Sequence, residues 1–270
     1  MDLGLTGRGC VVTGASRGIG RATSRMLCAE GANVLLIARS EEPLLEAADE
    51  CAAAGRDAGG RAESLVADVT DADAAERIAR EAGERLGQVD VLVNNAGTAR
   101  RRDLDDVPDE DWYAAWELNV MAPMRLMRAV VPGMRERGWG RIVNVSSSSG
   151  KRPSPTTPEY SVAKAAELSL SRLYADLYAA DGVLINAICP GAVKSELWTD
   201  EGGLLDQVME MEGLSSREEA LEAAASGRPI GRLAEVDEVA AAIVFLCSDQ
   251  ASYTSGAAWS VDGGVVQIII

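Results

Sequence analysis

Short runs of β-branched and other apolar residues alternate along this chain with longer stretches whose apolar positions recur at helical spacing. Cys10-Val11-Val12 reads as the first strand and Gly18 to Ala29 as the helix after it. Val34 to Ala38, Ser64 to Ala67, Val89 to Val93, Arg141 to Val145, Leu184 to Ile188 and Ala257 to Val261 are the further strands. Long helices are predicted from about Asp109 to Arg137 and from Tyr160 to Ala179. Strands that alternate with helices imply a parallel sheet covered on both faces. No linker rich in Pro, Gly or Ser divides the chain, and no short repeat is present. The expectation is one α/β domain over residues 1–270, a doubly wound parallel sheet of about seven strands.

One stretch breaks the alternation, from Ser195 to Arg228. It is acidic and holds Trp198, Met209, Met211 and a helix-like Arg217 to Ala225. It follows a predicted strand end, where open α/β sheets bind ligands. It reads as a small substrate lid near the C-terminal third or as a surface insertion. Trp198 and Met209 or Met211 then face either the pocket or the lid's own core.

Composition narrows the chemistry. Apolar residues make up 47% of the chain, enough for a sizeable core, but there is one Phe, so Leu, Val, Ile and Ala must fill it. The net charge of −16 and the lack of a Lys/Arg run able to offset it argue against a nucleic-acid partner. There is no His, which removes His triads, His bases and His metal sites. Five widely spaced Cys without a C-x-x-C suit buried thiols in a reducing cytoplasm, with no disulfide framework and no metal site expected. No signal pattern or run of about 18 apolar residues is present, so a cytoplasmic protein with no membrane partner is expected. The apolar tail Val265 to Ile270 is expected to pack on a neighbouring subunit or on the core.

Thr13-Gly14-Ala15-Ser16-Arg17-Gly18-Ile19-Gly20 joins the first strand to its helix. Glycines there let the backbone turn and approach a pyrophosphate, which the start of a helix attracts. A carboxylate ending the second strand would favour NAD. Here Ala38 is followed by Arg39, and Arg17 lies in the loop, so two guanidiniums suit a 2′-phosphate. NADP(H) is therefore preferred, with NAD(H) possible and Arg39 a solvated loop charge in that alternative.

Tyr160 and Lys164 lie four apart on a predicted helix, so phenol and ammonium share a face. A nearby cation lowers a phenol's pKa and makes an acid/base without histidine. The serines of Ser146-Ser147-Ser148-Ser149 follow a strand, where a hydroxyl can meet a substrate carbonyl. Asn94 and Asn95 end another strand and can tie neighbouring loops. Asn119 is a polar residue in an otherwise apolar helix, a pattern that marks a kink or a bound water.

Taken in order, Thr13–Gly20, Asp68-Val69, Asn94–Gly97, Asn119, Ser147, Tyr160–Lys164, Pro190-Gly191 and Val261-Asp262-Gly263-Gly264 resemble the short-chain dehydrogenase/reductase family over nearly the full length. The last third, from Pro229-Ile230-Gly231-Arg232 to Gly264, resembles its 3-oxoacyl-carrier-protein reductase-like branch. The resemblance implies a Rossmann fold, a carbonyl or secondary-alcohol substrate, and a homo-tetramer. It implies that Tyr160 trades the proton, that Lys164 tunes it and holds the nicotinamide ribose, and that Ser147, thirteen residues before Tyr160, polarises the carbonyl. Asn119 would hold a relay water. Gly14, Ser16, Arg17, Gly18, Ile19 and Gly20 would carry the phosphates, and Asp68 and Val69 would flank the adenine. Asn95, Ala96 and Gly97 would line the adenosine side. Pro190, Gly191 and Val193 would meet the carboxamide. Two features depart from the family: Ser195 stands where Thr is frequent, its hydroxyl still able to serve as a cofactor contact, and the apolar tail extends past Gly264. The alternatives are NAD-linked alcohol oxidation and a non-catalytic dinucleotide-binding regulator.

Overall fold

The structure, a computed structural model, describes residues 1–267. Ile268 to Ile270, and with them the end of the apolar tail, lie outside the described residues. The first half of the chain runs β1 (Gly9–Thr13), α1 (Gly18–Ala29), β2 (Asn33–Ala38), α2 (Glu41–Gly55), β3 (Arg61–Val66), α3 (Ala74–Leu86) and β4 (Val91–Asn94). Helices α4 (Asp109–Trp116) and α5 (Ala122–Arg137) lead to β5 (Gly140–Val145), a short α6 (Ser148–Lys151), α7 (Pro158–Tyr178) and β6 (Val183–Pro190). Then come β7 (Val193–Lys194), α8 (Glu196–Thr199), α9 (Leu204–Glu212), α10 (Arg217–Ser226), β8 (Ala234–Glu235), α11 (Val236–Cys247) and β9 (Ala258–Val261).

Seven parallel strands form one sheet in the order β3-β2-β1-β4-β5-β6-β9. The two-residue side-chain period sorts each strand between two cores. Val12 and Leu36 pack with Leu27, Leu44 and Ile243 beneath α1, α2 and α11. Val11, Leu35 and Ile37 pack with Ile78, Met127 and Met134 beneath α3 and α5. Strands buried on both faces explain why the sequence reads as continuous apolar runs rather than as alternation. All five cysteines are buried free thiols. Among the described residues no helix is long and apolar enough to cross a membrane.

Two features differ from the periodicity. The predicted helix from Asp109 to Arg137 is interrupted at Glu117–Met121 by a π-turn, where the Ala122 N–H reaches back to the Glu117 carbonyl. Pro123 has no N–H to give the carbonyl of Asn119 four residues earlier, which favours a break at this point. A second, two-stranded ladder pairs β7 with β8, each too short to leave a period in the sequence. Between them, α8 to α10 form an excursion with its own small core of Leu205, Val208 and Ala220. Trp198 and Met209 pack into that core, while Met211 is exposed.

Candidate active site

From β1 the chain winds outward to β2 and β3, and from β4 it winds the other way, so a crevice opens at the carboxyl ends of β1 and β4. Gly14 and Gly18 there adopt left-handed backbone with φ of 64° and 54°. A Cβ on Gly14 would stand 2.9 Å from the Ala96 Cα, and one on Gly20 2.3 Å from the Gly14 carbonyl oxygen, so neither position has room for a side chain. Asn95 locks the loop by donating from Nδ2 to the carbonyls of Thr13 (2.8 Å) and Gly14 (3.1 Å). The buried Thr13 hydroxyl accepts from the amides of Asn95 (2.9 Å) and Ala96 (3.0 Å). This tie through Thr13 was not anticipated; its residue lies in the glycine motif, but a hydroxyl's direction is not a matter of spacing.

Helix α1 begins at this loop with no side-chain cap and no acidic residue in its first turn. Its first N–H groups are thus free to meet an anion. The residues present therefore fit a dinucleotide pyrophosphate. Ser16 and Ile19 are half-buried in the same turn, Ile19 against the core. A Cβ on Gly18 would stand 3.4 Å from Ser195 Cβ, so the start of the excursion lies over the loop. Arg17, 59% exposed, reaches Asp200 at 3.4 Å.

On the β2 side, Arg39 is 77% exposed and stands 3.7 Å from Asp68. Burial raises the Asp68 pKa, but hydrogen bonds from the Thr70 amide and hydroxyl and the Arg39 charge outweigh it and hold the carboxyl below its usual range. Val69 is buried and lines a small hollow with Thr13, Asn94 and Ala96. At the other end, Gly191 follows β6 so closely against Asp262 that a Cβ would meet its Cα at 3.0 Å. Val193 is buried in β7, three residues beyond Pro190.

Tyr160 is half-buried in the first turn of α7. One turn on, the buried Lys164 places Nζ 5.8 Å from the Tyr160 ring centre. That ammonium donates to the Val145 carbonyl at 2.7 Å and to Glu167 Oε2 at 2.9 Å. Burial, the largest single influence, would lower the Lys164 pKa; Glu167, Tyr160 and Cys189 together outweigh it and raise it. Glu167, itself fully buried, was missed by the sequence reading. The i,i+3 spacing was visible, but the same spacing on an exposed face would be an ordinary surface pair.

The structure separates the adjacent serines. Ser146 donates from Oγ to the Lys164 carbonyl at 3.0 Å, so it faces the α7 backbone. Ser147 stands at the carboxyl end of β5 and caps α6, its Oγ accepting from the Ser149 amide at 3.0 Å. Asn119 is buried in the π-turn and donates to the Ala115 carbonyl at 2.8 Å, while its Oδ1 has no partner among the described residues. A Cβ on Gly97 would lie 3.6 Å from that Oδ1 and 3.9 Å from Lys164 Nζ, which brings Gly97, Asn119 and Lys164 to one place.

Residues 14–266 match a family model described as enoyl-(acyl carrier protein) reductase. The chain is 34% identical to a 3-oxoacyl-acyl-carrier-protein reductase of Thermotoga maritima, over 97% of this chain and 99% of the relative. It is 38% identical to a cis-4-hydroxycyclohexanecarboxylate dehydrogenase of Sinomonas cyclohexanicum, over 97% of each. It is 35% identical to the L-sorbose reductase of Gluconobacter frateurii, solved with NADPH and L-sorbose, with a TM-score of 0.91 over the whole of both chains.

Proposed function

The chain belongs to the short-chain dehydrogenase/reductase family of NAD(P)-dependent oxidoreductases, and on that premise we propose that it reduces a ketone with NADPH, or oxidises the matching secondary alcohol, at Tyr160, Lys164, Ser147 and Asn119. The observation that carries this reading is the buried ammonium of Lys164 beside the Tyr160 ring, one helical turn from it. The α1 N-terminus would hold the pyrophosphate of NADPH, Arg17 and Arg39 would hold its 2′-phosphate, and the bound cofactor would supply a hydride to the substrate carbon. Tyr160 gives its proton to the substrate oxygen as the alcohol forms. Lys164 stabilises the negative charge that develops on the phenol oxygen. The Ser147 hydroxyl hydrogen-bonds the same substrate oxygen, and the open Asn119 Oδ1 holds a water that returns a proton toward Lys164.

The helical excursion from Ser195 to Arg228 is the lid over the substrate, consistent with its place over Gly18. The relatives named for ketone and hydroxy compounds support carbonyl chemistry. Tyr160→Phe is expected to abolish NADPH consumption with a ketone panel while NADPH binding, followed by its fluorescence, persists. Turnover retained in that variant would end the mechanism. For the cofactor, Arg39→Ala is expected to raise the KM for NADPH about ten-fold, the loss of one charged phosphate contact, and to leave that for NADH nearly unchanged. Efficient NADH use with no response to Arg39→Ala would favour the NAD-linked dehydrogenase instead.

A further inference from the structure

Two half-buried arginines, Arg101 and Arg228, lie on segments tied to elements around the candidate site. Arg101 lies on the segment after β4, four residues beyond Gly97, whose place beside Asn119 and Lys164 is fixed. Its amide donates to Gln207 Oε1 on α9 at 2.7 Å. The next amide, of Arg102, donates to the Thr156 carbonyl at 3.0 Å, four residues before Tyr160. Arg101 is therefore clamped between the loop that leads into the Tyr160 helix and the lid. Arg228 comes from the end of α10, and a Cβ on Gly263, just past β9, would stand 3.9 Å from its Cβ. Strands β4 and β9 are separated by β5 and β6, a span of roughly 14 Å.

The charges are poorly matched for a structural role. Burial lowers the pKa of both guanidiniums, and the Arg101 charge lowers that of Arg228 further. Among the described residues each Nε is buried without a hydrogen-bond partner, a state that Arg77 and Arg102 share. The carboxylate of Glu212 stands 3.8 Å from Arg101, beyond hydrogen-bond distance. Asp262, the acid that acts on Arg228, is already taken up by the amides of Gly264 (2.9 Å) and Val266 (3.0 Å). By contrast, the nearby Arg232 is committed to both oxygens of Glu238. Arg228 also borders a hollow of about 240 Å³ whose charged lining is Arg228, Arg232, Glu238 and Asp262. In a chain of net charge −16, two mutually repelling, partly desolvated cations with spare donors call for an anion between them.

We propose that Arg101 and Arg228 form an anion subsite of the substrate pocket, so that the ketone carries a carboxylate or a phosphate group. This rests on the carbonyl-reductase reading of the same site. Two matched pairs of probes separate the two anions: 4-oxocyclohexanecarboxylate against its carboxamide, and dihydroxyacetone phosphate against dihydroxyacetone. NADPH consumption is measured for each, and calorimetry of the NADP⁺-bound protein measures binding independently of turnover. In at least one pair the charged member is expected to bind more tightly, and to be turned over with higher kcat/KM, by about ten-fold or more. Arg101→Gln and Arg228→Gln, made separately, each collapse that ratio to within about two-fold, while Arg101→Lys retains part of it. The pair that shows the preference identifies carboxylate or phosphate. Neutral members bound as tightly as charged ones in both pairs, or ratios untouched by either Gln variant, would overturn the subsite. Preferential anion binding with no turnover of any probe would leave the subsite standing and count against the reductase reading.

Discussion

Lys164 shows how much of a residue's role lies outside its motif. Its ammonium has three protons; Val145 and Glu167 take two, which leaves one for the crevice. The pair is buried on both sides, so removing one partner strands a charge away from water, at a cost of about 3 kcal/mol. Glu167→Gln is accordingly expected to lower the unfolding free energy by about that amount in urea titrations, and to reduce kcat more than it raises the substrate KM. A surface pair would change neither. Tyr160 and Lys164 were legible because four residues of helix fix their relation. Glu167 was not, because its burial is set by tertiary packing and not by its spacing along the helix. In the same surroundings, burial pushes the Cys189 thiol up to about 11, so it stays protonated at neutral pH.

Among the elements, α11 carries a feature the strand-and-helix pattern did not announce. Its capping box joins Glu235 and Glu238, and Arg232 adds a bidentate bond to Glu238. The Arg232 hydrogen bonds, with the Glu235 amide, hold the Glu238 carboxyl down at about 2. A carboxyl with a depressed folded-state pKa stabilises the fold above its ordinary value and loses that contribution as pH falls. The stability difference between the parent and Glu238→Gln should therefore be constant above about pH 5 and vanish as pH drops toward 2. A difference independent of pH would show that the ion pair contributes nothing. The π-turn at Glu117–Met121 belongs to this scale as well. Asn119 signalled a break, and Pro123 supplies its cause, but hydrophobic period alone reads straight through.

For the whole molecule, parallel pairing puts every carboxyl end of the seven-stranded sheet on one side, the side of the candidate site, while helix faces keep apolar side chains in solvent. Tyr113 and Trp116 on α4, and Val162, Leu173 and Leu177 on α7, are exposed. Exposed apolar side chains on two helices fit an interface between copies of the chain, and a homo-tetramer is the assembly proposed. Native mass measurement should give four copies, and Leu173→Glu combined with Leu177→Glu should give a smaller species. A monomer in the parent protein would refute the assembly.

The sequence by itself determined what is local: strand and helix alternation, the turn glycines at the phosphate loop, and the spacing of phenol and ammonium. Each of these follows from backbone geometry over a few residues. Only the tertiary structure decided which charges are buried and what they face. It turned Ser146 toward α7, closed Glu167 onto Lys164, and set the charges of Arg101, after β4, and Arg228, between α10 and β8, near enough to act on each other. Electrostatic character depends on the dielectric and the partners around a group, and both are set by chain segments that sequence order keeps far apart.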